Sequence, residues 1–162
     1  RADEAGPEEF RRLSRAFNRM NERLAAQIEA LRGAQERNAA VLEATAVGTW
    51  DWLPERVRIE VNERYLEIMG LAPAQVPVID RAWIEASIHP DDLADVSAAF
   101  FGHLRDERPT FTAEYRVRHA DGRWIWVADH GRVTARDAAG RALRITGTRQ
   151  DIGDRKAAEL AL

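Results

Sequence analysis

Histidine and carboxylate side chains are the residues of this sequence that could bind a metal ion or transfer protons. His89 precedes Pro90 and two adjacent carboxylates, Asp91 and Asp92. No second ligand stands at metal-binding spacing from His89, so we interpret it as a loop residue before a helix. Neighbouring helix residues point in different directions, so the two carboxylates are expected to stabilise a helix start rather than act as paired acids. His103 falls near the end of that helix, at the edge of its apolar stripe.

Aromatic rings and one pair of opposite charges could bind a small ligand. Trp52, Trp124 and Trp126 could stack on a flat ring system, although aromatic residues in strands are more often part of the core. Glu114 and Arg116 stand two residues apart, on one face of a predicted strand. They could pair with each other or bind an anionic ligand, and we favour the structural interpretation.

Composition excludes several kinds of chemistry. The 162 residues include no cysteine, which excludes disulfides, thiolate metal sites, cysteine nucleophiles and cysteine–flavin photochemistry. The net charge of −3 favours neither nucleic acid nor an acidic membrane as a partner. The sequence contains no glycine-rich phosphate loop and no nucleophile elbow, so we expect no catalysis. His119 and His130 stand beside predicted turns and are expected to be solvated.

A long helix is predicted from Glu8 to about Glu43, where there is no proline and a single glycine. Apolar residues up to Leu24 alternate in steps of three and four, which is the spacing of a coiled-coil seam. The step from Leu24 to Ile28 is a second consecutive four, so the heptad contains a stutter. One amphipathic helix packed on its own domain is the alternative, but the seam is more typical of a partner helix. The predicted seam comprises Phe10, Leu13, Phe17, Met20, Leu24, Ile28 and Leu31.

The remaining sequence predicts two strands, three helices and three strands. Asn62 is a good N-cap for a helix that Gly70 ends, and Pro90 with two carboxylates predicts another helix start. This order predicts an α+β domain in which an antiparallel sheet has helices on one face. The predicted strands cover Val47–Trp52, Val57–Val61, Phe111–Val117, Arg123–Val127 continued at Gly131–Thr134, and Ala142–Thr148.

Seven motifs in this order resemble the PAS family, in the subgroup with paired tryptophans on the fourth strand and a PAC-type closing motif. The resemblance implies a five-stranded antiparallel sheet and a sensor that perceives a small ligand or cofactor state. Flavin and haem are cofactors in such domains, but no residue here specifies either; where haem-binding members carry a histidine, this sequence has Ser97. The motifs are Gly48-Thr-Trp-Asp-Trp52, Asn62-x-x-Tyr-x-x-Ile-Met-Gly70, Ile88-His-Pro-Asp-Asp92, Glu114-Tyr-Arg-Val-Arg118, Asp121-Gly-Arg-Trp-Ile-Trp126, Gly147-Thr148 and Asp151-Ile152-x-x-Arg-Lys156.

The PAS resemblance also implies which residues bind a ligand and which relay a signal. A dimerisation module without ligand is the alternative. Gly153 stands where the family commonly has a threonine that ties the sheet to the exit helix. The expected relay residues are Asp151, Ile152 and Gly153, and the expected ligand-binding residues are Trp52, Asn62, Tyr65, Arg116 and Trp126.

The segment Pro7–Leu24 resembles the second helix of a HAMP domain, with Arg11 where that family usually has glycine. This resemblance implies a parallel homodimer and a membrane receptor whose transmembrane segment precedes this sequence, with the PAS domain on the cytoplasmic side of a bacterial inner membrane. The expected organisation is the end of a HAMP-like helix at 1–26, a connecting coiled coil at 27–43, the PAS domain at 44–154 and an exit helix from 155. By resemblance, the exit helix leads to a diguanylate cyclase or a histidine kinase domain.

Overall fold

The computed structural model describes residues 6–161, apart from the side chains of residues 42 and 43. Residues 1–5 and 162, which belong to the first and last predicted segments, lie outside the described residues. The chain forms two compact units, Arg1–Thr45 and Ala46–Leu162.

The first unit is a single helix, α1, which spans Pro7–Ala44 and confirms the predicted long N-terminal helix. Its start follows from local chemistry: Pro7 occupies the first helical position, and Glu8 and Glu9 lie in the first turn. The side chains of the predicted seam are all exposed, from 48% at Leu24 to 71% at Phe10. The helix therefore presents an uncovered apolar stripe.

The second unit is a five-stranded antiparallel sheet with helices, as predicted. The elements in chain order are β1 Gly48–Trp52, β2 Glu60–Val61, α2 Glu63–Met69, α3 Arg81–Ser87, α4 Pro90–Leu104, β3 Phe111–Arg118, β4 Trp124–Arg136, β5 Ala142–Asp151 and α5 Gly153–Leu160. A short 3-10 helix, Pro73–Gln75, lies between α2 and α3. The strand order in the sheet is β2-β1-β5-β4-β3.

Helix α2 begins and ends at the two residues that the sequence predicts. The Asn62 side-chain oxygen accepts hydrogen bonds from the backbone N–H groups of Thr49 and Tyr65, at 2.8 and 3.0 Å. This single side chain caps α2 and ties it to β1. Gly70 ends the helix with a left-handed backbone, φ 71°. Tyr65, in the first turn of this helix, is 1% exposed and belongs to the core.

The core lies between the sheet and helices α2 to α4. The Trp50 ring packs on a saddle made by Gly131 of β4 and Gly147 of β5, which are register partners in the sheet. A side-chain carbon at Gly131 would lie 2.6 Å from the Trp50 ring, so the close approach requires glycine there. Buried aliphatic residues, including Val117, Val127 and Ile145, belong to the same hydrophobic core as Trp50.

Two predicted strands differ from the structure. Only Glu60 and Val61 of the predicted strand Val57–Val61 pair with β1. The Ile59 N–H donates to the Ile79 carbonyl, outside the sheet, and Val57 is 75% exposed with no face to bury. The fourth predicted strand leaves out residues 128–130, but β4 runs without interruption from Trp124 to Arg136. Residues 128–130 pair with β3 on one side and with β5 on the other.

Within residues 6–161, no helix combines the length and the apolar character that crossing a bilayer requires.

Candidate ligand-binding cavity

A cavity of about 90 Å³ lies inside the second unit, between the sheet and helices α3 and α4. Aromatic rings form most of its wall. The Trp52 and Phe100 ring centroids are 5.8 Å apart, and Phe100 meets Phe111 edge to face at 5.3 Å. Its lining comprises Trp50, Trp52, Ile59, Tyr65, Arg81, Ile84, Glu85, Ile88, Val96, Ser97, Phe100, Phe101, Phe111, Tyr115, Asp129 and Arg149.

A buried ion pair forms the polar part of the wall. Arg149 of β5 and Asp129 of β4 are 1% and 3% exposed. The guanidinium donates to both Asp129 oxygens, each at 2.9 Å. It also donates to the hydroxyl oxygens of Tyr65 and Tyr115, both at 2.8 Å, and to the Met69 sulfur at 3.3 Å. All five guanidinium N–H donors therefore have acceptors.

The two tyrosines of this cluster differ in what their hydroxyl groups do. The Tyr115 hydroxyl donates to Asp129 at 2.7 Å, whereas the Tyr65 hydroxyl accepts from Arg149 and donates to none of the described atoms. Burial raises the pKa of Tyr65 to about 12 and holds the pKa of Tyr115 well above its ordinary range. Burial acts to lower the pKa of Arg149, but Asp129 and both tyrosines outweigh it and raise that pKa. The cluster is therefore one cation, one anion and two neutral phenols.

Three residues of the cavity lining on α3 and α4 contact one another. The Arg81 guanidinium lies 4.8 Å from the Phe101 ring centroid and donates to Glu85 at 2.7 Å. Arg81 and Glu85 both line the cavity and are partly exposed. Arg81 and Glu85 therefore place a partly exposed ion pair in the lining of the cavity.

Two histidines that could be ligands have structural contacts instead. In His103, Nδ1 lies 2.8 Å from the Arg108 carbonyl oxygen, and Nε2 accepts from the Val133 N–H at 2.9 Å. Both ring nitrogens are thus occupied. His89 precedes α4 as predicted, and its Nδ1 accepts from the Asp91 N–H. Among the described residues, no group of three histidine, aspartate or glutamate side chains could hold a metal ion.

The prediction that His119 is solvated is wrong. Its side chain is only 16% exposed because the ring packs against Gly70. The Nδ1 atom of the ring lies 2.9 Å from a carboxylate oxygen of Asp121. His130 is exposed as predicted, although it lies within β4 rather than beside a turn.

The five predicted ligand-binding residues fall in different places. Trp52 and Tyr65 line the cavity. Asn62 has both ends of its amide engaged, because Nδ2 also contacts the Val47 carbonyl at 3.4 Å. Arg116 and Trp126 lie outside the cavity, where the guanidinium is 5.5 Å from the Trp126 ring centroid. The structure brings two of the five residues together.

The predicted pairing of Glu114 with Arg116 is wrong. Arg116 instead donates to both carboxylate oxygens of Asp92 at 2.9 and 2.7 Å, and these hydrogen bonds lower the pKa of Asp92. Glu114 contacts Arg155 at 2.7 Å and Lys156 at 2.9 Å, both on α5. Both residues lie on edge strand β3, from which their side chains reach different helices.

The expected relay residues connect the sheet to α5. The Ile152 side chain is buried, and its N–H donates to the Trp126 carbonyl at 3.0 Å. The Asp151 carboxylate accepts from the Gly153 N–H at 2.8 Å, which orders the first turn of α5. The Lys156 ammonium lies 5.0 Å from the Trp126 ring centroid. Glu114 and Trp126 therefore belong to the same junction.

Arg149 and Asp129 are not among the residues predicted from the sequence to bind a ligand. One signal pointed to them: each falls at an inward position of a strand in which the other inward residues are apolar, such as Val127 and Ile145. A charge at such a position needs a partner. The partner lies on another strand, which requires the sheet register.

A family model described as the PAS fold matches residues 58–149. The fold and this match show that the chain belongs to the PAS family. A crystal structure of a sensory box histidine kinase/response regulator from Burkholderia thailandensis is similar, with a TM-score of 0.68 and 33% identity over 77% of this chain and 91% of that one.

Two further relatives are less similar. The N-terminal domain of a diguanylate cyclase with PAS/PAC sensor from Marinobacter aquaeolei has a TM-score of 0.57 and 20% identity, covering 68% of this chain and 98% of that one. An uncharacterized protein, y4lL, from Sinorhizobium fredii is 30% identical over 127 residues, 78% of this chain. The chain spans 15% of that relative's length.

Proposed function

We propose that this chain is the sensory and signal-relay module of a bacterial signal-transduction receptor. The observation that carries the proposal is the cavity, with aromatic rings and a buried ion pair in its wall. Small-molecule sites are concave, mostly apolar and contain a few fixed polar groups. The 33% identity to the sensory box protein from Burkholderia thailandensis supports a sensory role. The module itself catalyses no reaction in this proposal.

The route from the cavity to the output runs along β5. A ligand in the cavity would contact Arg149, and β5 ends two residues later at Asp151, where α5 follows. A change in the position of β5 would act on α5 through the buried Ile152, while the ion pairs of Glu114 hold α5 to β3. We propose that α5 continues into a diguanylate cyclase or a histidine kinase domain.

We propose that α1 forms a parallel homodimer through its apolar seam. Seven large apolar side chains in a row are exposed on this helix, and such a stripe is typical of a helix with a partner. The stutter between Leu24 and Ile28 would be a two-state element in the seam. Residues 1–26 would be the end of a HAMP-like helix and 27–43 a connecting coiled coil that leads into a PAS domain at 44–154. The whole receptor would be anchored in the bacterial inner membrane by a segment before residue 1.

Disulfide cross-linking tests the dimer, because the chain has no cysteine of its own. Leu13→Cys places one thiol in the seam, and a parallel, in-register dimer brings the two copies together, so we expect rapid oxidation to a covalent dimer. Arg15→Cys, two residues away on the opposite side of the helix, is the matched control and should cross-link slowly. Equal rates for the two variants would contradict the parallel seam.

A ligand-free dimerisation and transmission module is the second candidate. The complete pairing of the Arg149 guanidinium favours it, since the ion pair needs no ligand to satisfy it. An absorption spectrum together with native mass spectrometry of protein purified from the organism that encodes it separates the candidates. A chromophore band or an added mass supports sensing. A bare chain with no band supports the ligand-free module.

A further inference from the structure

Helix α4 joins the cavity wall to the edge of the sheet. At the start of this helix, the Asp92 carboxylate accepts hydrogen bonds from three N–H groups of Arg116 on β3: the backbone N–H at 3.0 Å, Nε at 2.9 Å and Nη2 at 2.7 Å. The N–H of His89, directly before the helix, donates to the Arg116 carbonyl at 2.9 Å. A ligand that displaced α4 would therefore act on Arg116. The side chains that α4 contributes to the cavity wall are Val96, Ser97, Phe100 and Phe101.

Trp126 of β4 connects Arg116 to the exit helix. Arg116 and Trp126 are register partners on β3 and β4, and the guanidinium lies over the indole ring, 5.5 Å from its centroid. The Lys156 ammonium of α5 lies over the same ring at 5.0 Å. Tryptophan attracts cations more strongly than the other aromatic side chains do. A shift of the ring therefore changes how strongly it holds Lys156.

The charged groups along this connection are partly shielded from water. The side chains of Asp92, Arg116 and Lys156 are 19%, 28% and 22% exposed. By contrast, Arg155 and Glu159 form an ion pair within α5 in which the side chains are 46% and 49% exposed. Partly buried charges are screened less than charges on the open surface. The shielded contacts are therefore better suited to fix the position of α5.

We propose that a second route from the cavity wall to the exit helix runs through the edge of the sheet, separate from the route along β5. A shift of α4 moves the Arg116 guanidinium, the Trp126 ring follows, and α5 responds through Lys156. The inference rests on the proposed relay function and names residues that position α5 without lining the cavity. The route comprises Asp92, Arg116, Trp126 and Lys156.

Hydrogen exchange in α5 tests the route, because contacts in succession transmit a change only if altering one end affects the other. No hydrogen bond or ion pair among the described residues joins Asp92 to α5. Asp92→Asn removes the charge that holds Arg116. We expect the α5 amides of the whole chain to exchange about two- to fivefold faster, the range for the loss of one exposed cation–π contact, which is the weakest step of the route.

Asp95→Asn is the matched control, because it removes an exposed carboxylate of the same helix that has no hydrogen bond or ion pair among the described residues. It should leave hydrogen exchange in α5 unchanged. The slowest amides of β4 and β5 exchange through global unfolding, so they report any general loss of stability in either variant.

A double-variant cycle separates the route from general destabilisation. Trp126→Leu removes the ring between the two cations, so adding Asp92→Asn to it should have no further effect on α5. If Trp126→Leu does not fold, Lys156→Met gives the same cycle, because it keeps the ring and removes the ammonium at the far end. The route is wrong if Asp92→Asn leaves α5 unchanged, or if it accelerates α5 equally with the connection intact and broken.

Native mass spectrometry of the host-purified wild type distinguishes a failure of this route from a failure of the proposed function. A bound ligand together with an α5 that does not respond to Asp92→Asn refutes the route and leaves sensing through β5 in place. A bare chain in which α5 does respond refutes sensing and keeps the route as a connection within a ligand-free module. A bare chain with an unresponsive α5 refutes both.

Discussion

Replacing Arg149 by methionine would leave a carboxylate buried without its cation. Asp129 is 3% exposed, and after the change only the Tyr115 hydroxyl would donate to it. Methionine retains much of the apolar stem of arginine, so the substitution removes the charge and its hydrogen bonds while limiting the cavity left behind. Tyr65 would lose its Arg149 contact at the same time.

The expected magnitude follows from the burial of the pair. Breaking a buried ion pair by removing one partner costs about 3–5 kcal/mol in the free energy of unfolding. The single change Asp129→Asn should cost a similar amount, because it leaves the Arg149 guanidinium buried. The double variant removes both charges, so it should be more stable than the sum of the two single changes predicts by about 2–3 kcal/mol.

Urea unfolding followed by tryptophan fluorescence is the appropriate assay, because all five tryptophans lie in the unit Ala46–Leu162. Arg144→Met is the matched control on the same strand. Arg144 forms an ion pair with Asp51, and the Arg144 side chain is 53% exposed. Loss of this exposed pair should lower the free energy of unfolding by less than about 1 kcal/mol. The reasoning is refuted if Arg149→Met costs no more than this control, or if the two single changes add without interaction.

Three further predictions concern the saddle, the buried histidine and the exit helix. Gly147→Ala places a carbon against the Trp50 ring and should destabilise the unit by about 1–3 kcal/mol in urea unfolding. His103→Ala removes both ring contacts and leaves the Val133 N–H without its acceptor, which should lower the free energy of unfolding by about 2–4 kcal/mol. Glu114→Gln removes the anion that two α5 cations contact, so hydrogen exchange in α5 should accelerate at neutral pH while the sheet stays protected.

Acidification should reproduce the effect of Glu114→Gln in the wild type. Hydrogen bonds from Lys156 and then Arg155 lower the pKa of Glu114 below its ordinary 4.5. The Glu114 carboxylate therefore binds a proton more readily in the unfolded chain than in the folded one. The stability contributed by its ion pairs is present above pH 4.5 and is lost as the pH falls through the lowered pKa. Protection of α5 that is independent of pH across this range would count against the ion pairs.

Controls for these variants come from the same chain. Gly140→Ala changes a glycine with open space around it, although its positive φ adds a separate strain. His130→Ala changes an exposed histidine on β4 and should cost less than about 0.5 kcal/mol. Glu159→Gln removes another contact of the same two cations but leaves Glu114 in place. We expect hydrogen exchange in α5 to accelerate less in Glu159→Gln than in Glu114→Gln. The reverse order would contradict the role given to Glu114.

Local signals in the sequence predict the elements of the fold well. The capping contacts of Asn62 and Gly70 are with residues close in sequence, and Pro90 suits the first helical position by itself, so caps and helix starts can be predicted before any tertiary contact is known. The strand at Val57–Val61 fails for the opposite reason. Its residues alternate as in a strand, but only Glu60 and Val61 pair with β1, and the Ile59 N–H donates to the carbonyl of the distant loop residue Ile79.

The site depends on contacts that sequence patterns do not contain. Arg149 and Asp129 are 20 residues apart and meet because β4 and β5 pair in one particular register, which aligns Asp129 with Arg149. Glu114 finds its partners 41 residues away on α5 rather than two residues away on its own strand. Trp52 could be singled out from the sequence because family resemblance marks its strand, and the structure places it in the cavity wall. The buried Trp50 indole N–H without a hydrogen-bond partner among the described atoms follows only from the packed structure.

Native mass spectrometry of two proteins purified from the natural host tests the sensing function most directly. The wild type is compared with Ser97→Phe, in which a ring projects from α4 into the cavity that Ser97 lines. We predict that the wild type carries a discrete added mass that Ser97→Phe lacks, while circular dichroism shows the same secondary structure for both. A wild-type chain without added mass, or the same added mass on both proteins, would contradict a ligand bound in this cavity.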